Sequence, residues 1–168
     1  MNKATDIANH TISVYVANKP GVLARIAQVF ARRGFNIDSL VVSSSVDGRY
    51  SRMTIAAQGS QDGLEQVILQ VSKLVDVMHC LDHSGGNAVV RELALVKMLV
   101  GSDQRAEVLQ IGEHFGCKTV DLTTNAMTLM ITGNSDKLDA CIKMLRQFEI
   151  IELVRTGKVV MARGDEVT

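Results

Sequence analysis

From Thr11 to Ala17 apolar and polar positions alternate, with Ile12, Val14 and Val16 on one face, which predicts a half-buried strand. The period then changes. Val22, Leu23, Ile26, Val29 and Phe30 recur at helical spacing, and Gly34 stands where such a helix stops. Phe35 to Ser44 reads as a second strand, Asp47-Gly48 as a turn and Arg52 to Ala57 as a third strand. Ser60 and Asp62 open a second helix that turns Leu64, Val67, Ile68, Val71 and Leu74 inward. Val75 to Leu81 closes the unit as a fourth strand, so the order is βαββαβ.

The pattern is then written again. GSQDGLEQVI from Gly59 and GNSDKLDACI from Gly133 match at an offset of 74 residues. Ile26 and Phe30, followed by Ile37-Asp38, echo Ile111 and Phe115, followed by Val120-Asp121, at an offset of 85 for the Ile/Phe pair. The second copy is predicted as strand Arg91 to Val100, helix Asp103 to Phe115 and strand Cys117 to Leu122. A tight turn at Thr123 to Asn125 leads to strand Met127 to Thr132, helix Ser135 to Phe148 and strand Ile150 to Arg155. A short last strand, Val159 to Ala162, is expected after the Thr156-Gly157-Lys158 turn, and Ser84-Gly85-Gly86-Asn87 reads as a joint.

The expected organisation is a first domain over 1–83, a linker over 84–90 and a second domain over 91–168. The fold class is α+β: two ferredoxin-like βαββαβ units, each with two helices on one face of a four-stranded antiparallel sheet. The other face of each sheet is expected to be uncovered. The second strand falls at a sheet edge, and an open edge invites another chain, so a homodimer is expected.

Composition narrows the function classes. The chain has 168 residues, 46% of them apolar, with 18 Lys+Arg against 18 Asp+Glu. That balance excludes intrinsic disorder, and with no basic run it argues against nucleic-acid or polybasic membrane partners. Aromatics are only 4% with no Trp, so the core must be aliphatic. The longest apolar candidate, Leu93 to Val100, is broken by Lys97, and MNKATDIANHT has no secretory core segment. Cys80, Cys117 and Cys141 are odd in number and far apart, which suits a reducing compartment with thiols as small core residues. The expected location is cytoplasmic, and a plastid stroma fits the same features.

Catalytic signatures are scarce. No phosphate-binding glycine loop, nucleophile elbow or H-E-x-x-H motif occurs. On a strand His79 and His83 share a face while Cys80 points to the other, which splits a would-be metal triad. His114 beside Cys117 is read the same way, as packing. No nucleophile, base and orienting group converge, so no catalytic and no metal residues are assigned.

The informative segment is Asn18-Lys19-Pro20-Gly21-Val22-Leu23, which contains the only proline and joins the first strand to the first helix. Proline presets the backbone and glycine permits close approach, so the free N–H groups at the helix start are shaped and accessible to an anion. Asn18 and Asn36 supply amides, and Val22, Leu23 and Ile37 an apolar lining; together the six match a free aliphatic amino acid. The plainer reading makes Asn18 a helix cap and Asn36 a turn residue. Roughly 1.5–3 kcal/mol per charged hydrogen bond and about as much for the side chain, less immobilisation, predicts micromolar-to-millimolar binding.

At these residues the chain resembles a known family. NKPGVLARIAQVFARRGFNIDSLVV (Asn18 to Val42), SRMTI (Ser51 to Ile55), KLVDV (Lys73 to Val77), RELALVK (Arg91 to Lys97) and RTGKVVMARG (Arg155 to Gly164) follow in the order found in the acetolactate synthase small subunit, whose first half is an ACT domain. HCLDHSGGN (His79 to Asn87) departs from the family's more acidic and apolar strand end. The resemblance implies a non-catalytic regulatory subunit that activates a large catalytic subunit and confers feedback inhibition by valine. The resemblance also implies that thiamine diphosphate, Mg²⁺ and FAD belong to the large subunit, so no cofactor is expected in this chain. The family's valine site lies between two ACT domains and maps here onto Asn18, Gly21, Val22, Leu23, Asn36 and Ile37. A weaker expectation places partner contact at Arg49, Ser51, Arg52 and Met53, beside the longer first hairpin. The competing readings are a stand-alone amino-acid-sensing regulator of another enzyme and, more remotely, a metal-responsive regulator using His79, Cys80 and His83.

Overall fold

Helix starts and glycine turns divide the chain. In the computed structural model, which describes residues 8–86 and 88–168, the first unit runs β1 (Ala8–Ala17), α1 (Val22–Arg32), β2 (Asn36–Ser44), β3 (Tyr50–Gly59), α2 (Gln61–Val71) and β4 (Val77–Asp82). The second runs β5 (Ala88–Leu99), α3 (Arg105–His114), β6 (Lys118–Leu122), β7 (Ala126–Gly133), α4 (Ser135–Leu145) and β8 (Glu149–Arg155), followed by a short β9 (Val159–Ala162). Strands pair antiparallel in the orders β2-β3-β1-β4 and β6-β7-β5-β8, the α+β architecture that the alternating patterns predicted.

The repeat is visible in the caps. Ser60 and Asn134 have extended backbones and accept hydrogen bonds from the N–H groups of Gly63 and Lys137, so the 74-residue offset marks two equivalent helix starts. The Ile/Phe echo is out of register. Gly34 (φ 72) and Gly116 (φ 63) end the first helix of each unit, and one bulge follows in each edge strand, between Ile37 and Ser39 and between Thr119 and Asp121. Aligned on these features, Ile26 corresponds to Val108, Phe30 to Gly112 and Phe35 to Cys117. Phe115 instead follows α3 as its C-terminal cap residue.

Each sheet buries one face under its own helices. In the first unit Ile12, Val14, Val16, Met53 and Ile55 meet Val22, Ile26 and Phe30 of α1 and Leu64, Val67 and Val71 of α2. In the second, Ala94, Val96, Met98, Met127, Leu129 and Ile131 meet Val108 of α3 and Leu138, Cys141, Ile142 and Leu145 of α4.

Two expectations need correction. The chain divides into one compact unit that runs to Val89 and takes in Gly157–Thr168, and a second unit over Val90–Thr156. The last twelve residues thus group with the first unit, not with 91–168 as read from the repeat. The reason is chemical: the far face of the first sheet is not bare. Lys158 Nζ stands 3.5 Å from Thr11 Oγ1, His79 Nε2 3.1 Å from the Thr168 carbonyl oxygen, and Gly157 (φ 86) lies so close to Ser39 that a Cβ would meet its Cβ at 2.5 Å. Thr11, Ser13 and Thr54 on that face are buried. Alternation read this face as solvated because Thr and Ser are polar, but hydroxyls can be buried once they are partnered. Strand β5 begins at Ala88, inside the stretch read as a linker, and Asn87 lies outside the described residues.

Candidate functional site

The bend before α1 is built around Gly21. Its φ of 82 places it in the left-handed region, where glycine is favoured, and α1 starts directly after it with no side-chain cap and no acidic residue in its first turn. The positive end of the helix is therefore offered to an anion. Asp76 braces the approach: it accepts from Arg25, stands 3.9 Å from Lys19 and, through its carbonyl, receives the Ala17 N–H.

Asn18 does not cap the helix. Its Nδ2 donates to the Gly48 carbonyl at 3.0 Å and its backbone N–H to Arg49 O, tying the bend to the β2–β3 hairpin. Asn36 donates to Asp38 Oδ1 at 3.0 Å. Val22 is buried in the core, Ile37 packs against it, and Leu23 is exposed.

Within one chain these six residues do not form one pocket. Asn18 adjoins the Ala17–Tyr50 end of the sheet, whereas Asn36 pairs with Gln58 at the other end of β3. At about 3.3 Å per residue from Tyr50 to Gln58, the two asparagines are on the order of 25 Å apart. Asn18, Gly21, Val22 and Leu23 are brought together; Asn36 and Ile37 are not. Strand β2, which carries the second pair, is an edge strand, as its place in the repeat predicted.

The hairpin differs from expectation. Met53 points into the first core and Ser51 is buried, so neither is presented to a partner. Arg49 is exposed and held by Asp47 (Nε to Oδ2, 2.6 Å), and Ser45 Oγ donates to Asp47 Oδ1, also at 2.6 Å. The Ser45 hydroxyl and the Arg49 guanidinium lower the Asp47 pKa to about 2. Arg52 stacks its guanidinium 5.7 Å from the Tyr15 ring centre, and Tyr15 stacks in turn on Tyr50 and His79 at 5.2 Å. Tyr15, Ser43, Ser44, Ser45, Val46, Asp47 and Arg52 line an open cavity of about 540 Å³. Sequence reading missed this stack. Strand register, with Ala17 opposite Tyr50 and Tyr15 opposite Arg52, brings the rings and the guanidinium together, and local periodicity does not report register.

His79 and His83 share a face, as alternation predicted: His79 lies on Tyr15, and His83 Nε2 is 2.7 Å from Ser13 Oγ. Burial lowers the His83 pKa. Cys80 packs against the core on the other side, and burial, then the Asp82 charge, pushes its thiol up to about 12. Among the described residues no three His, Cys, Asp or Glu side chains gather as metal ligands, and no helix is long and apolar enough to cross a membrane.

Comparison with known proteins adds a second line. Residues 12–79 match the family described as AHAS small subunit-like ACT domain, and residues 91–164 match the family described as small subunit of acetolactate synthase. The chain is 42% identical over 157 residues to the probable acetolactate synthase small subunit of Archaeoglobus fulgidus, spanning 94% of this chain and 98% of that one. It is 39% identical over 155 residues to the acetolactate synthase small subunit of Mycolicibacterium smegmatis, spanning 92% and 91%. The crystal structure of the acetolactate synthase small subunit from Thermotoga maritima superposes with a TM-score of 0.84 at 37% identity, over 95% of this chain and 99% of that one.

Proposed function

The chain belongs to the acetolactate synthase small-subunit family, and on that premise we propose that it is the regulatory partner of a catalytic large subunit, activating it and making it sensitive to valine. The observation that carries the reading is likeness across both halves to proteins named as acetolactate synthase small subunits. The large subunit holds thiamine diphosphate, Mg²⁺ and FAD; this chain supplies an effector site and a dimer, in the cytoplasm.

The placement of the six residues supports a shared site. If two first-unit sheets join along β2 with two-fold symmetry, the strands run antiparallel. The Asn36 end of one β2 then lies beside the Ser44 end of the other, and Ser44 pairs with Ser51 near the Asn18 bend. The α1 start of one protomer, with Gly21, Val22 and Leu23, receives the valine carboxylate. Asn18 and the partner subunit's Asn36 orient the molecule, and Ile37 abuts its side chain. Two equivalent sites per dimer follow from the symmetry. Valine that bridges protomers favours one dimer arrangement, and a coupling of about 1–3 kcal/mol is enough to change the catalytic subunit's activity several-fold.

Calorimetric titration of the full chain with valine tests this, with one valine per chain and a micromolar-to-millimolar Kd expected. Asn36→Leu is expected to abolish valine inhibition in an assay reconstituted with the catalytic subunit while activation persists. A variant that remains fully inhibited, or a chain that is monomeric and silent to valine, overturns the assigned site.

A further inference from the structure

Two thiols meet in the second unit. Cys141, on the inner face of α4, is fully buried, and Cys117, just after the Gly116 turn, is half-buried; their sulfurs are 3.7 Å apart. Both are free thiols. The site is built by small residues: a Cβ added at Gly112 of α3 would sit 3.6 Å from Cys117 Cβ. Lys137, one turn before Cys141 on α4, carries its ammonium to within 3.9 Å of where a Cβ at Gly116 would stand, and donates to the Thr132 carbonyl.

We propose that Cys117 and Cys141 are a modification site, a dithiol that a peroxide converts into an intramolecular disulfide tying α4 to the turn between α3 and β6. The step balances with hydrogen peroxide as oxidant. Cys117 thiolate attacks one peroxide oxygen, the O–O bond breaks, and the departing hydroxide takes a proton to leave as water. The resulting Cys117 sulfenic acid is attacked by the Cys141 sulfur; the S–S bond forms, the S–O bond breaks, and the second water carries away the Cys141 proton. Two thiols lose two electrons and two protons, and one peroxide becomes two waters.

The asymmetry of the pair sets the order of events. Cys117 is the sulfur nearer to solvent, and the hydrogen bond from Cys141, then the Lys137 ammonium, hold its thiol below the ordinary range. Cys141 is pushed the other way by the same hydrogen bond and by burial, so it stays protonated until the sulfenic acid forms beside it. Cys80 is the internal control: its raised pKa leaves it without thiolate at neutral pH.

The test treats the folded full-length chain with hydrogen peroxide, alkylates it and maps the peptides by mass spectrometry. The expected product is a linked peptide joining Cys117 and Cys141, 2 Da lighter than the reduced pair, with Cys80 still alkylatable and the link reversed by dithiothreitol. Cys117→Ser and Cys141→Ser each abolish the link, and Cys80→Ser leaves it. Oxidation is expected to raise the melting midpoint of the unmodified sequence and not of Cys117→Ser, a readout that does not depend on the Cys141 variant folding. Cys117 driven to sulfinic acid with no link, a link formed only in denaturant, or Cys80 consumed first would overturn the proposal.

Discussion

The two units share an order of elements and a strand order, yet they fill the end of their first helix with different chemistry. In the first, Phe30 and Phe35 meet edge to face at 6.4 Å, and the Phe35 ring lies over Gly59 and Gly63, so close that a Cβ at Gly59 would come within 2.2 Å of it. At the corresponding positions the second unit has Gly112, Cys117, Gly133 and Lys137. The Lys137 stem lies over Gly133, whose added Cβ would meet its Cδ at 2.6 Å. An aliphatic stem with a charged tip thus takes the place of an aromatic ring. The strand that opens each sheet follows suit. His10 Nε2 lies 3.0 Å from the Gly59 carbonyl oxygen, whereas Glu92, buried beside Gly133, takes Arg155 and Ser135 as partners. The helix starts diverge as well: α1 follows Pro20-Gly21 with no acidic first turn, and α3 carries Glu107 in its first turn. What the fold requires is volume at these points. The identity of the filler is what separates a unit packed around an aromatic pair from one that pairs thiols and charges.

The largest effect expected from probing this difference is at Phe30. Phe30→Ala removes a fully buried ring with an aromatic neighbour and is expected to cost about 3–5 kcal/mol in denaturant unfolding. A loss below about 1 kcal/mol would mean that the aromatic pair is not what fills the first unit. Next comes Glu92. Its side chain is only 3% exposed, and Glu92→Ala leaves the Arg155 guanidinium without its buried partner. The expected loss is about 3 kcal/mol, at the low end for a broken buried pair, because Arg155 still reaches solvent and Asp139. Asp139→Ala, at the exposed arm of the same triad, should move the midpoint by less than about 1 kcal/mol.

Much of this architecture was legible in the residues. The period-2 run at Ile12, Val14 and Val16 and the helical spacing of Val22, Ile26 and Phe30 gave β1 and α1, and the Ser60 cap fixed the start of α2. The Pro20-Gly21 bend was legible because backbone conformation there is local. What escaped was non-local. Buried Thr11 meets Lys158, 147 residues later in the chain, and buried Ser13 meets His83, 70 residues later, contacts that no local period reports. The separation of Asn18 and Asn36 follows from strand register, so a list of six residues hid the fact that they stand at two ends of one sheet. The Ile/Phe echo misled because the same pair of residue types recurs four apart, although Phe30 is fully buried within α1 whereas Phe115 caps the end of α3 and packs only partly buried against its core.

The smallest effect separates the units most finely, because it has opposite signs in the two. Gly112 lies inside α3, and a Cβ there would stand 3.5–3.9 Å from Leu129 and Cys117, which is ordinary contact. Glycine inside a helix costs about 0.5–1 kcal/mol relative to alanine through backbone entropy, so Gly112→Ala is expected to stabilise the chain by about that amount. Gly59→Ala, by contrast, drives a methyl into the Phe35 ring and must destabilise, since the ring is itself packed on Phe30 and beside His10. Both variants are read in one set of denaturant melts. If Gly112→Ala destabilises instead, the space between α3 and Cys117 is tighter than the second unit's small residues imply, and the contrast between an aromatic-filled and a thiol-filled helix end fails at its most exacting point.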